Sequence, residues 1–147
     1  MEAERLKVLQ AALAARDIDR LLEMVPFASF LGLVAEWDGD DLLIVMPMRE
    51  RVIGNPVLPA LHGGAVGALL ESAAVFKLLW EITPPQVPRL ITITVDYLRS
   101  GRPKNTRART TITKQGRRVV NVQVKAFQDD EESPIAVAHA HFLLNAV

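Results

Sequence analysis

The segment "LHGGAVGALLESAA" (61–74) combines residues that can activate a carbonyl group with a single carboxylate. Gly63 and Gly64 stand where a proline-containing loop turns into a long apolar stretch. Glycines allow a ligand to approach the backbone closely, and the first N–H groups of a helix have no partner within it. Because the helix dipole is positive at this end, these groups can stabilise a carbonyl oxygen that gains negative charge. The pattern favours Gly63 and Gly64 as donors to such an oxygen over a plain helix-start turn.

Glu71 is the only Asp, Glu, Lys or Arg between Arg51 and Lys77. Apolar surroundings make a carboxylate a better proton acceptor near neutral pH. Glu71 follows Gly63 by eight residues, roughly 12 Å along a helix axis, so the two residues of one helix cannot act on the same carbonyl. Either one of them is not catalytic, or the site combines two subunits. The structural alternative for Glu71 is a buried carboxylate paired with the backbone or a lysine.

The first half of the chain contains the helices expected to carry these residues. Leu6, Leu9 and Leu13 recur at helical spacing, which predicts an amphipathic helix over the first fifteen residues. A strand is expected from Phe30 to Trp37, then a "DGDD" hairpin turn and a second strand, "LLIVMPM". The segment "HGGAVGALLESAAVFKLLWEI" (62–82) is apolar nearly all round, which predicts a buried helix that ends before two prolines.

Strand patterns fill the second half of the chain. "RLITITVDYLRS" alternates, with Ile91, Ile93, Val95 and Tyr97 expected on one face and Thr92, Thr94 and Asp96 on the other. "NTRARTTITK", "RRVVNVQVKAF" and "IAVAHAHFLL" predict three more strands. The order predicts an α+β fold in which an antiparallel six-stranded sheet wraps around one long central helix, with an extra N-terminal helix. Residues 1–147 are expected to form one domain.

The composition excludes several classes of function. Seventeen basic and seventeen acidic residues cancel, which argues against a nucleic-acid or acidic-membrane binder. With no cysteine there is no disulfide, thiolate metal site or cysteine nucleophile. The uncharged run 52–70 contains two prolines and four glycines, which a lipid-facing helix tolerates poorly. The start does not resemble a signal peptide, so a soluble cytoplasmic protein is expected.

This arrangement resembles the hotdog fold, in particular the thioesterases of the phenylacetic-acid-degradation type. The resemblance covers nearly the whole chain. It rests on "PFASFLG" (26–32), "MP" (46–47), "NPVLPALHGGAVGALLE" (55–71) and "VDYLRSG" (95–101). An Asn-Pro loop, His-Gly-Gly and an acidic residue eight positions after the first glycine, within this order of elements, form a fairly specific combination.

The resemblance implies an acyl-CoA thioesterase that releases a free acid and coenzyme A. Gly63 would polarise the thioester carbonyl, and Glu71 of the adjacent subunit would act as base or nucleophile. Asn55 would orient the water or the carboxylate, and His62 would hold the loop. The site would need a homodimer, with a homotetramer also compatible with the family. No metal or redox cofactor is implied.

Further residues are candidates for substrate binding. Gly64 would assist Gly63, and Thr92 and Thr94 could contact the acyl group or the partner subunit, although strand propensity explains them equally well. Eight of the seventeen basic residues lie from Arg99 to Arg118, and no acidic residue lies between Tyr97 and Gln128. Such a patch suits the phosphates of coenzyme A, with Arg99, Arg102 and Lys104 favoured. His139 and His141 are expected on a sheet face rather than at a metal.

Two other functions stay open at this point. A hydroxyacyl thioester dehydratase of the same fold would need a histidine before the proline-rich loop, where "RERVIG" contains none. A non-catalytic acyl-CoA-binding regulator would usually carry a DNA-binding domain, for which the first 28 residues are too short.

Overall fold

The apolar segment at the centre of the chain forms the helix around which the fold is built. This computed structural model describes residues 1–146. The helices are α1 (Glu2–Ala15), α2 (Ile18–Met24), α3 (Pro26–Leu31) and α4 (Gly63–Glu81), and Glu50–Val52 form a 3-10 turn. The strands are β1 (Val34–Asp38), β2 (Asp41–Met46), β3 (Ile53–Asn55), β4 (Ala60–Leu61), β5 (Gln86–Tyr97), β6 (Thr106–Gln115), β7 (Val119–Phe127) and β8 (Ala136–Ala146).

The main sheet confirms the predicted architecture. Its six strands are antiparallel to their neighbours, in the order β1-β2-β6-β7-β8-β5, and α4 packs against five of them. The remaining strands, β3 and β4, pair as a small separate hairpin in the proline-containing loop before α4. β5 is an edge strand, so one side of its backbone is unpaired within the protomer.

Small side chains on the inner face of the sheet allow α4 to lie close to it. Alternate residues of β8 point towards the helix, and Ala136, Ala138 and Ala140 are completely buried there. On α4, Leu69 and Leu70 are completely buried as well. By length and composition alone α4 could also cross a membrane, but half of its apolar window is buried inside the protein, as in the core helix of a globular fold.

One stripe of α4 stays uncovered, which corrects the prediction of a helix buried nearly all round. Gly64 and Glu71 are exposed, and Ala68, Ser72 and Val75 are half-buried. These positions recur every three or four residues, so they form one continuous face. The sheet covers the other sides of the helix and leaves this face to solvent within the protomer.

The N-terminal region differs from the sequence prediction in two ways. Residues expected to start a strand at Phe30 belong to α3 instead, and β1 begins only at Val34. Pro26 suits the first position of a helix, and Gly32 ends it in the left-handed conformation with φ 69°. In α1 only Ala12 and Leu13 are buried, so its apolar stripe is less complete than the leucine spacing indicated.

A bulge in β5 breaks the predicted alternation. The register with β8 shifts between Leu90 and Thr92, and Ile91 is 52% exposed. Ile93 and Val95 pack against the core as expected. The extra residue of a bulge changes the parity of the strand, which periodicity alone does not reveal.

A network of ion pairs joins α4 to the turn between β1 and β2 and to β6. Lys77 is a buried residue of α4 whose Nζ contacts carboxylates of Asp41 and Glu81. Arg109 on β6 donates to Asp41 at 2.6 Å and also to Glu131. Burial raises the pKa of Asp41, but the hydrogen bonds from Lys77 and Arg109 outweigh it and lower that pKa below its usual value of 3.8.

Asp41→Asn is expected to destabilise the protein at neutral pH and much less in acid. A lowered carboxyl pKa stabilises the fold above the unfolded value and loses that effect as the pH falls through the folded value. The gap in unfolding free energy between native protein and variant should therefore shrink below about pH 4, measured by urea denaturation from pH 3 to 7. Asp40→Asn, at the exposed neighbouring position, is the control. A gap that stays constant down to pH 3 would contradict this role of Asp41.

Thr110 of β6 is 3% exposed, and its Oγ1 has no hydrogen-bond partner within residues 1–146. Thr110→Val replaces this hydroxyl by a methyl group of similar shape. Because a buried unsatisfied hydroxyl costs about 1–3 kcal/mol, we expect the free energy of unfolding to rise by about 1 kcal/mol. Thr111→Val, on the exposed face of the same strand, should change it by less than about 0.5 kcal/mol. Equal effects of the two substitutions would refute the assignment.

Candidate active site

The loop before α4 fixes the first residues of the helix. His62 is the N-cap, and its Nδ1 accepts the Gly64 N–H at 2.9 Å. The His62 backbone N–H in turn donates to the Val52 carbonyl at 2.8 Å. A Cβ on Gly54 would lie 2.6 Å from the His62 Cα, so only glycine fits there. His62 therefore holds the loop, as predicted, and its side chain occupies one of the two candidate donors.

The Gly63 N–H is the donor that this arrangement leaves available. It has no hydrogen-bond partner within the described part of the chain. At the amino end of a helix of 19 residues it carries the positive end of the dipole. The Gly64 N–H, which the sequence also suggested, is already engaged by His62.

Tyr97 positions this first turn and was not identified as a site residue from the sequence. Its hydroxyl donates to the Gly63 carbonyl at 2.7 Å. Its ring lies about 3.6 Å from where a Cβ on Gly63 would stand, and its hydroxyl lies 3.2 Å from the corresponding point on Gly67. The glycine spacing "GGAVG" therefore matches the close approach of an aromatic residue at the end of β5. The aromatic residue within "VDYLRSG" was the signal in the sequence from which this role of Tyr97 could have been predicted.

A cavity of about 330 Å³ opens beside Gly63. Gly63, Tyr97, Arg99 and Ser100 line it together with apolar side chains from β4, α4 and the start of β8. The Arg99 guanidinium donates to the Pro134 carbonyl at 2.8 Å, which holds it at the rim. The cavity thus combines a helix-end N–H group with one fixed positive charge.

Glu71 lies on the uncovered face of α4, in a different cavity. This cavity of about 220 Å³ is lined by Val25, Phe27, Ala28, Ala68, Glu71, Ser72, Val75 and Phe76. Glu71 is exposed and makes no ion pair or side-chain hydrogen bond within residues 1–146. Lys77, the nearest lysine in sequence, pairs with Asp41 and Glu81 instead. The alternative of a buried, satisfied carboxylate is therefore wrong for the protomer.

The two cavities have no lining residue in common. Gly63 and Glu71 of one protomer thus face separate spaces, in agreement with their separation along the helix. Within one protomer the structure does not bring the donor and the carboxylate together.

The side chain of Asn55 stabilises the loop in which it lies. Its Oδ1 accepts the N–H groups of Val57 and Leu58 at 3.0 and 3.1 Å. Asn55 does not line the cavity of Gly63, although its hairpin partner Ala60 does. In the protomer its carbonyl oxygen shapes the loop that precedes α4.

The polar residues of β5 lie on the outer face of the sheet. Thr92 pairs with His141 and Thr94 with His139, and all four are exposed. α4 packs on the opposite face, so these threonines do not meet Gly63 within the protomer. The histidines are sheet-face residues, and the described residues contain no group of three or more His, Asp or Glu side chains that could hold a metal.

The basic patch is partly neutralised by acidic residues distant in sequence. Lys104 pairs with Asp129 at 2.5 Å, and Arg107 pairs with Glu36 at 2.7 Å. Arg102 is exposed and forms no ion pair within residues 1–146. Of the three favoured basic residues, the structure therefore brings Arg99 to the cavity of Gly63, leaves Arg102 exposed and pairs Lys104.

Comparisons with known proteins bear on the family and the fold of this chain. The family description "acyl-CoA thioesterase N-terminal domain" matches residues 55–143. A Chromobacterium violaceum protein of known structure is 34% identical, with a TM-score of 0.76 over 92% of this chain and 95% of that chain. Among curated proteins no sequence matches significantly.

Two further solved structures share the fold. One is a Bacillus halodurans protein crystallised with CoA, which is 20% identical with a TM-score of 0.75 over 99% of this chain and 91% of that chain. The other is a phenylacetic acid degradation-related protein from Ralstonia eutropha. It is 22% identical, with a TM-score of 0.71 over 86% of this chain and 98% of that chain.

Proposed function

We propose that this chain, which belongs to the acyl-CoA thioesterase family, hydrolyses an acyl-CoA in a site assembled from two protomers. The family match over residues 55–143 makes it a thioester hydrolase, and its neighbours confirm the hotdog fold expected from the sequence. The proposal states which residues act on the thioester and that two protomers together form the site. Gly63 of one protomer binds the thioester carbonyl, and Glu71 of the other acts on the same carbonyl.

The observation that carries this proposal is the separation of the two groups. A donor without a partner and a carboxylate without a partner lie in different cavities of one protomer. A second copy related by a two-fold axis supplies each cavity with the group that it lacks, and symmetry then gives two equivalent sites.

Two features of the surface support such a dimer. β5 is an edge strand of twelve residues, and long unpaired edges are ready to pair with another chain. The uncovered stripe of α4 is continuous with exposed aromatic residues of α3, where Phe27 and Phe30 stack at 5.9 Å. An apolar surface of this kind is characteristic of an interface.

The chemistry follows from the two groups. The Gly63 N–H donates to the carbonyl oxygen and stabilises the negative charge that develops there. As a base, Glu71 takes a proton from water while the water oxygen bonds to the carbonyl carbon. The carbon–sulfur bond then breaks, and the sulfur leaves with that proton as the thiol of coenzyme A. As a nucleophile, Glu71 would instead bond to the carbonyl carbon, and the carbon–sulfur bond would break to give a mixed anhydride and the coenzyme A thiolate. Water would then hydrolyse the anhydride to the free acid and the Glu71 carboxylate, and the proton released would go to the thiolate.

Arg99 is the residue best placed for the coenzyme. It lines the cavity of Gly63, and its guanidinium is held by the Pro134 carbonyl. Arginine binds phosphate oxygens through paired hydrogen bonds. A structural neighbour of the same fold was crystallised with CoA, which supports the choice of ligand.

Gly63→Pro removes the proposed donor with little change to the fold. Proline is well tolerated at the first position of a helix, and His62 already has the extended conformation that a following proline requires. Because one such donor contributes about 10²–10³ to the rate, we expect kcat on acyl-CoA substrates to fall by that factor, measured by thiol release. Gly63→Ala keeps the N–H and meets Tyr97 at an ordinary 3.6 Å, so it is the matched control. Equal losses in both variants would rule out the N–H as the cause.

Mixing two inactive variants tests the composite site. Glu71→Gln is expected to lose about a hundredfold or more in kcat, whereas Ser72→Ala in the same cavity should retain activity. A hybrid dimer of Gly63→Pro and Glu71→Gln contains one intact site of two. A random equal mixture should therefore recover about a quarter of native activity.

Three other outcomes would change the proposal. No recovery after verified subunit exchange would mean that both groups act within one chain. Activity in a monomer, shown by light scattering, would exclude the shared site. No turnover of any acyl-CoA, with tight binding retained, would replace the enzyme by an acyl-CoA-binding protein.

A further inference from the structure

We infer that the groove beneath α1 holds the acyl chain of the substrate and selects medium to long aliphatic chains. The groove has a volume of about 770 Å³, within the usual range of ligand sites. This inference rests on the proposed function, because the groove adjoins the cavity that contains Glu71.

The groove is apolar inside and charged at its rim. Leu6, Val8 and Leu9 of α1 form one wall, and Phe76 and Leu79 of α4 form the floor. The charged lining residues belong to the first helical turns of the chain and to α2: Glu2, Glu4, Arg5, Arg20 and Glu23. An apolar interior with a polar edge suits an alkyl chain better than a charged or hydrogen-bonding ligand.

The groove adjoins the cavity of Glu71. Val25 and Phe76 line both spaces, so these two side chains lie between them. An acyl group whose carbonyl lies at Glu71 therefore reaches the groove by passing Val25 and Phe76 towards Leu79.

The length of the path sets the expected chain. Glu71 and Leu79 are eight residues apart on α4, about 12 Å along the axis, which corresponds to an extended chain of roughly ten bonds. Each methylene that leaves water should strengthen binding by roughly fourfold until the groove is filled. Short acyl groups would end near Phe76 and leave the groove empty.

This use of α1 also accounts for its incomplete burial. Leu6 is 46% exposed, although the leucine spacing predicted an amphipathic helix packed on the core. Its side chain lines the groove instead of filling it. The helix therefore presents an apolar wall to a space that the rest of the chain leaves open.

The test is a chain-length series of straight acyl-CoAs from butanoyl to hexadecanoyl, with kcat/KM measured for native protein and two variants. Leu6→Trp narrows the groove. Ala11→Trp places the same side chain at an exposed position of α1 that does not line the groove. For the native protein we expect kcat/KM to climb up to about decanoyl or dodecanoyl. Leu6→Trp should lose tenfold or more on dodecanoyl-CoA, with the loss shrinking as the chain shortens, and Ala11→Trp should follow the native profile.

The alternative outcomes separate this inference from the proposed function. A profile that is flat or best on short chains, or a Leu6→Trp loss equal at every length, overturns the groove but leaves the thioesterase intact. If no ester is hydrolysed, the proposed function fails. The role of the groove is then tested by calorimetry, which measures the binding of dodecanoyl-CoA and butanoyl-CoA to the native protein and the same variants. Tighter dodecanoyl binding that Leu6→Trp removes supports it, and equal binding refutes it. A change in oligomeric mass with Leu6→Trp would assign the groove to a second copy of the chain and overturn the inference.

Discussion

The burial of one long apolar helix against a sheet with small inner side chains determines the rest of this structure. α4 has few charged residues, and five strands cover most of its surface. Alanines on β8 let the helix backbone approach the sheet closely, which leaves little freedom in its position. The amino end of the helix, one stripe of its surface and its last turn at Glu81 stay accessible to solvent. Both proposed catalytic groups lie in the first two of these places.

The N–H groups at the amino end of α4 are not equivalent as hydrogen-bond donors to a ligand. A helix begins with several N–H groups that lack partners, and any of them can bind an oxygen. The His62 side chain takes the Gly64 N–H, and Tyr97 anchors the Gly63 carbonyl from the other side. Only the Gly63 N–H of this pair remains available, in a turn fixed by two side chains. A donor held in place before the substrate arrives requires no reorganisation during the reaction, which is the property that makes such sites effective.

Sequence reasoning predicted the elements with strong periodicity and failed where non-local contacts decide. The six strands, their antiparallel order and α4 follow from local patterns and short connections. The start of β1 was missed because Pro26 and Gly32 together stabilise a short helix that apolar composition does not distinguish from a strand. The bulge near Ile91 depends on pairing with β8, which no local pattern contains.

In the candidate site, too, local patterns predicted some residues, and non-local contacts determine the others. Gly63 and Glu71 were predicted from residue type and spacing and His62 from the family resemblance, whereas Tyr97 acts through a contact with a residue 34 positions away. The basic run after Tyr97 looked free of acidic residues, but the fold brings Glu36 and Asp129 to Arg107 and Lys104. Charge counted along a chain therefore overestimates the charge that a ligand meets. Arg99 remains at the cavity because it is held by a neutral carbonyl instead of a carboxylate.

The position of Glu71 links assembly to chemistry. A carboxylate surrounded by water is well solvated and is a weak base. The same stripe carries Ala68 and Val75 beside the exposed Phe27, so any surface that covers these apolar groups also removes water from Glu71. The area that would stabilise an assembly is thus the area that would activate the carboxylate. In the protomer alone, Glu71 is exposed to solvent and lies in a different cavity from the Gly63 N–H with which it is proposed to act.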